Sequence, residues 1–330
     1  MRAVTVEQPG NLDALAVVEL ADPQPRSGEV LVAVDYAACN WGDIQKRQGI
    51  YPDPMTYPLV LGGEGAGTVI AVGTGVETLA IGQPVAFISG RDMLRAFADE
   101  VAIPAELVVP LPPGFDRAKA AALPVAALTA YHLLHTAHHL RAGDRILVHA
   151  ISGGVGLALT QLVRDAGAIV LGTVGTGDKA AQALALGAER VIARDVEDFV
   201  EVIMRMTDGA GIDLVIDSLG ADILERSFDV LRPFGRLINI GEAAGDPEFD
   251  VRKALYRRST SMAGFELMHA VPGSPRWNAG VRHVMQALEA GTLEMPIAAE
   301  FPLEEIRDAQ ALLESRRTIG KVLIRVRGER

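Results

Sequence analysis

The chain has 330 residues, 49% of them hydrophobic and 34 of them glycine, with a formal net charge of −11. That length exceeds one ordinary core and predicts two domains, and the composition excludes extended disorder. The acidic balance argues against nucleic acid or an anionic membrane as partner, since both select basic surfaces.

The single cysteine, Cys39, excludes a disulfide framework and a multi-cysteine zinc lobe, and suits a reducing compartment. The opening MRAVTVEQPG has no apolar signal core and no run approaches a membrane span, so a cytoplasmic protein is expected. Up to about residue 110, LAVVEL, EVLVAVDYAA, GTVIAVG, QPVAFIS and ELVVPLP read as strands between Pro/Gly turns. The stretch LGGEGAG, residues 61–67, reads as a tight turn with Glu64 as its stabilising acid.

From about residue 118 the texture changes: AAALPVAALTAYHLLHTAHHL has helical period, and strands then alternate with helices. Strands are predicted at 146–150, 168–174, 190–192, 212–218, 235–240 and 260–265, with helices at 154–166, 178–186, 195–206, 221–232 and 279–290. Continuous Val/Ile/Leu strands separated by helices predict a parallel sheet covered on both faces, a doubly wound nucleotide-binding fold.

HAISGGVGLALTQL joins the first of these strands to its helix. Gly153, Gly154, Val155 and Gly156 form a glycine-rich corner in which Ala150 and Ile151 replace the first glycine of a dinucleotide fingerprint. Backbone without side chains lets a pyrophosphate approach, and a helix N-terminus binds its charge. An acid ending the second strand would bind the ribose of NAD, but Gly172 or Thr173 stands there, in GTVGTGDK. Gly175 and Thr176, with Lys179 and, after the third strand, Arg194 as the cations, offer a place for a 2′-phosphate, which favours NADPH with NADH possible.

ACNWGD, RQGIYP, LGGEGAGTVIAVG, AAALPVAALTAYHLL, VHAISGGVG and ALGAERVI occur in this order along nearly the whole chain. The set resembles the medium-chain dehydrogenase/reductase superfamily, in its zinc-free quinone oxidoreductase branch. The resemblance implies an α/β protein with a GroES-like β-rich catalytic domain (residues 1–122), a six-stranded Rossmann domain (123–264) and a return segment (265–330) completing the catalytic domain, with the active site in the cleft between domains. Zinc relatives carry Cys and His where this chain has Asn40 and Gly63, so no metal is expected; Cys39 is one residue away and reads as buried packing. His132, His135, His138 and His139 crowd one predicted helix, a poor source of tetrahedral geometry.

The resemblance also implies Tyr51 as a proton donor or hydrogen-bond donor to substrate, Asn40 as a neutral group near the nicotinamide, and Thr129 against its carboxamide. Ile240 and Gly241 end the fifth strand, where ligands sit beyond strand carboxyl ends. Arg194 stands where this branch often has a tyrosine. Without a Lewis acid, alcohol oxidation is disfavoured, whereas quinones and α,β-unsaturated carbonyls accept hydride readily. The expectation is NADPH-dependent hydride delivery to a small quinone-type acceptor, shaped by the loops 91–97 and 269–277. The alternatives are reduction of alkenals or enoyl thioesters with Tyr51 as proton donor, or a low-turnover NADPH-binding sensor. STSMAGFE is expected as the edge strand through which a homodimer forms.

Overall fold

The computed structural model describes residues 1–327, which divide by their own contacts into Met1–Ala126 with the segment from Met295 on, and Ala127–Glu294. β-branched runs broken by Pro and Gly make the first unit mostly strands. In chain order it holds β1 (Arg2–Val6), β2 (Leu15–Glu19), β3 (Glu29–Ala38), α1 (Trp41–Gln48), β4 (Leu59–Val60), β5 (Glu64–Val72), β6 (Pro84–Ile88), β7 (Glu100–Pro104), β8 (Val108–Pro110) and α2 (Arg117–Ala121). β1 lies between β2 and β4, and a larger sheet is centred on β3, which pairs antiparallel with β5 and β7.

The stretch LGGEGAG is a turn only through Gly63; Glu64 already belongs to β5. Its later glycines serve strand crowding, because a Cβ on Gly67 would stand 2.0 Å from Ala33 O. Nothing larger fits in that register.

α3 (Pro124–His132) leads from the first unit into the second and continues as one π-turn over Leu133–Ala137. There follow β9 (Arg145–His149), α4 (Gly154–Asp165), β10 (Ile169–Val174), α5 (Ala180–Ala185), β11 (Arg190–Ala193), α6 (Phe199–Met206), β12 (Ile212–Asp217), α7 (Ala221–Ser227), β13 (Leu231–Asn239), α8 (Val251–Tyr256), β14 (Ser261–Gly264) and α9 (Pro275–Glu289). All six predicted strands are present. They pair in parallel in the order β11-β10-β9-β12-β13-β14, which reverses direction beside β9 as a doubly wound sheet does. One covered face of this sheet packs Leu147, Leu171, Ile203, Val215 and Leu224 around Phe199.

Two boundaries differ most from the sequence expectation. The helix predicted over 221–232 stops at Ser227, because Ile212 N–H already bonds Val230 O and Leu231 pairs with Ile212. A register shift then swings the chain outward, and Phe234 takes φ +62° and is 77% exposed. The second difference is where the return segment begins, at Met295 in the contact division rather than at 265. Gln161 on α4 explains it: its Nε2 donates to Glu294 O at 2.9 Å and its Oε1 accepts from Glu294 N–H at 2.9 Å, while Arg164 holds Thr292 O. Residues 265–294 are thereby tied to the Rossmann sheet.

The return segment forms β15 (Ile297–Pro302), α10 (Ile306–Glu314) and β16 (Lys321–Arg325), and β16 enters the larger sheet antiparallel to β3. Its first residue brings a cation inside. Lys321 Nζ lies 2.8 Å from Oε1 of the fully buried Glu64 and 2.7 Å from Asn40 Oδ1. Glu64 also accepts from Asn40 Nδ2 at 2.9 Å and from Val125 N–H at 2.7 Å. One carboxylate thus fastens α1, β5, the start of α3 and β16. Among the described residues no helix is long and apolar enough to cross a membrane.

Removing either charge strands the other in a buried site. Glu64→Gln and Lys321→Met are each expected to cost about 3–5 kcal/mol in urea unfolding, and the double variant less than the sum of the two. Additive losses would mean that the pair is not energetically coupled.

Candidate functional site

In the second unit the predicted cofactor residues other than Thr129 follow the carboxyl ends of the strands. Beyond His149 the chain turns through Ala150, at φ +51°, and Ile151 before α4 begins. The first turn of a helix leaves N–H groups without intrahelical partners, and half-exposed Gly154 and Val155 carry them, while Gly153, the N-cap, bonds Ala150 O through its own N–H at 2.9 Å. Gly156 is buried and has a packing role. A Cβ there would meet Ile151 O at 2.5 Å, and one on Gly172 of β10 would meet Ile151 Cδ1 at 2.3 Å. Two glycines therefore make room for the isoleucine that replaces the first glycine of the fingerprint.

At the end of β10, exposed Thr176 and half-buried Gly175 lead toward Lys179, whose Nζ lies 3.6 Å from where a Cβ on Gly175 would stand. Arg194, just past β11, bonds Val174 O through its N–H at 3.0 Å and donates from Nη1 to Thr173 Oγ1 at 2.7 Å. Lys179 and Arg194 thus each lie against the carboxyl end of β10, where an NAD-binding acid would stand. The donor set fits an adenosine carrying a 2′-phosphate: a helix start suits a pyrophosphate, and a lysine and an arginine suit a further phosphate.

Ile240 and Gly241 follow β13, and Asn239 Nδ2 bridges Asp217 Oδ2 at 3.1 Å and Gly241 O at 3.0 Å. Asp217, ending β12, also accepts from the N–H groups of Leu219 and Gly220 at 3.0 Å each, and burial pushes its carboxyl above the ordinary range. Sequence reasoning missed Asp217 and Asn239, which read as ordinary strand ends; their position beyond the strand carboxyl ends was the available signal.

Thr129 is buried within α3. The neighbouring histidines disperse rather than converge. His132 stacks on Trp277 and bonds Thr136, His135 packs with Tyr131 and His283, and His138 lies 3.7 Å from Asp144. Burial keeps His132 neutral, its pKa pushed down to about 4.

In the first unit, α1 separates the two expected catalytic residues in sequence. Asn40 is its N-cap, with N–H bonded to Asp43 Oδ2 at 2.8 Å. Asp43 is buried, which raises its carboxyl to about 6 against the opposing pull of Lys46. The Asn40 amide is engaged at both ends, between Glu64 and Lys321. Tyr51, half-buried, lies beside Gly42, and Lys46 Nζ stands 4.7 Å from its ring centroid. Lys46 is itself only 2% exposed and donates to Asp92 O at 2.6 Å and Met93 O at 2.9 Å, anchoring the loop 91–97.

Gly63 faces Met93: a Cβ there would approach Met93 Cβ to 3.1 Å. Cys39 is buried, and burial pushes its thiol well up, away from the thiolate a metal requires. Among the described residues no three His, Cys, Asp or Glu side chains are placed to hold a metal ion. Lys46 and Lys321 were not singled out from sequence; isolated lysines read as solvated, and only the fold shows them buried.

Models of two families match the chain: an alcohol dehydrogenase GroES-like domain over residues 26–113 and a zinc-binding dehydrogenase over residues 186–324. A component of the phenolphthiocerol/phthiocerol polyketide synthase of Mycobacterium tuberculosis is 33% identical over 97% of this chain, which spans only 14% of that protein. A 2-haloacrylate reductase of a Burkholderia species is 33% identical over 98% of both chains. The crystal structure of Escherichia coli quinone oxidoreductase complexed with NADPH superposes with a TM-score of 0.93 at 30% identity, covering 99% of this chain and all of that one. Glycine loop, strand order and whole-length similarity converge, and the chain belongs to the medium-chain dehydrogenase/reductase family, in its quinone oxidoreductase branch.

Proposed function

We propose that this chain is an NADPH-dependent oxidoreductase that passes hydride to a quinone-type acceptor without zinc. The observation that carries the reading is Lys321: its ammonium lies between Asn40 and Glu64, the zinc-ligand position and the neighbour of the other, so the cation of this site is protein-borne. A zinc ion has no ligand at Gly63, and Asn40 is committed to its buried partners. Arg194 and Lys179 support NADPH over NADH, as does the NADPH-bound quinone oxidoreductase relative.

Bound NADPH supplies hydride to the acceptor. The chain's part is to hold the adenosine end on Gly153, Gly154, Val155, Lys179 and Arg194, and to receive the charge that develops on the acceptor oxygen. Tyr51 is the group that can hydrogen-bond or protonate that oxygen, and Lys46 against its ring favours the negative charge that proton loss leaves. Hydride transfer leaves a quinone as a monoanion, which then takes its one remaining proton from water. Asn40 acts by fixing the polar floor of the site rather than as a proton carrier.

A second reading, reduction of activated alkenes, is favoured by the 2-haloacrylate reductase relative and by Tyr51. The two separate in one assay. NADPH oxidation at 340 nm is expected to be faster with an ortho-quinone than with a 2-alkenal, and Tyr51→Phe should lower the alkenal rate about 10²-fold or more while sparing the quinone. Preference for the alkenal would move the assignment to alkene reduction; equal losses in Tyr51→Phe would remove the distinction.

We further propose a homodimer through β14, which among the described residues pairs only with β13 in the sheet order and so presents a sheet edge. Light scattering after gel filtration should give twice the chain mass, and a monomer would refute it.

A further inference from the structure

Four residues far apart in sequence form one hydrogen-bond chain beneath Arg194. Arg194 Nη1 donates to Thr173 Oγ1 at 2.7 Å, Thr173 Oγ1 meets His149 Nδ1 at 2.8 Å, His149 Nε2 meets Ser227 Oγ at 2.9 Å, and Ser227 Oγ donates to Ile223 O at 2.6 Å. Thr173 and Ser227 are fully buried and His149 is 2% exposed, so water has little access to these bonds.

The direction of every proton follows. Ile223 O only accepts, so the Ser227 hydroxyl proton is spent on it and Ser227 must accept from His149 Nε2–H. Burial, with the Arg194 charge adding to it, pushes the His149 pKa down to about 3, so the ring is neutral and carries one N–H. Nδ1 is therefore an acceptor, and it takes the Thr173 hydroxyl proton. That leaves the Thr173 lone pairs facing Arg194. The polarity runs one way, from a cation to a helix carbonyl, which strengthens each bond in turn.

We propose that this chain positions Arg194: Thr173, held by His149 and Ser227, fixes the guanidinium for the 2′-phosphate and so sets the preference for NADPH over NADH. The proposal rests on the reading that Arg194 meets that phosphate. Arginine is a flexible side chain whose bidentate fork gains from being held before the ligand arrives. Thr173 suits the task because its β-branched side chain has few χ1 choices on a strand and its hydroxyl direction is set from behind. Thr173 and His149 are thus positioning residues, not ligands.

Calorimetric titration of the cofactor-free protein with adenosine 2′,5′-bisphosphate and with adenosine 5′-monophosphate tests this without turnover. Thr173→Val should weaken bisphosphate binding about tenfold and leave the monophosphate unchanged, and Thr173→Ser should retain wild-type discrimination. In an Arg194→Ala background, Thr173→Val should have no further effect. Ser227→Ala, two hydrogen bonds farther along the chain from Arg194, should weaken the bisphosphate in the same direction and serves if Thr173→Val does not fold. Unaltered discrimination in Thr173→Val or Ser227→Ala, with Arg194→Ala impaired, would overturn the positioning chain alone. Unaltered binding in Arg194→Ala would overturn the phosphate assignment itself.

Discussion

The Glu64 carboxylate is the contact on which the first unit depends. A bare carboxylate at full burial is costly, and here it accepts from an ammonium, an amide and a backbone N–H supplied by β16, the N-cap of α1 and the start of α3. Those donors come from residues 321, 40 and 125, so the charge is satisfied only when the start, middle and end of the chain have assembled. Structure and chemistry share this contact. The same ammonium that neutralises Glu64 also holds Asn40 Oδ1, at the proposed reaction site.

Charge placement also organises the second unit. The parallel sheet brings its glycine corner, its Gly175 turn and its Ile240–Gly241 loop to one edge because each follows a strand carboxyl end. Ile151 could replace a fingerprint glycine because Gly156 and Gly172 leave room for it, which keeps the Gly153–Gly154 backbone open. Arg194 is then drawn back over the end of β10 by Thr173, so the cations lie at the strand end that lacks an acid.

Much of this was legible in the sequence. Six apolar runs at regular spacing fixed the parallel sheet, because period and composition report burial directly. Where reading failed, the deciding contact was remote. Glu64 looked like a turn acid because its partners Lys321 and Val125 are far along the chain. The helix over 221–232 looked continuous because nothing local reveals that Ile212 claims Val230 and Leu231 as strand partners. The return segment was expected from residue 265 because Gln161 gives no sign that it will hold Glu294. Nothing local joins His149, Thr173 and Ser227, and only their distances show a polar chain. Short motifs carry Tyr51, Asn40, Lys179 and Arg194, whereas Lys46 and Lys321 lie outside any motif.

The central claim, a reductase whose active-site cation is Lys321 and not a metal, is tested most directly by assaying quinone reduction alongside elemental analysis of chelator-treated protein. The account predicts undiminished NADPH-dependent turnover with no zinc retained, and no gain when zinc is added back. Activity that disappears with the metal and returns on adding zinc would contradict it.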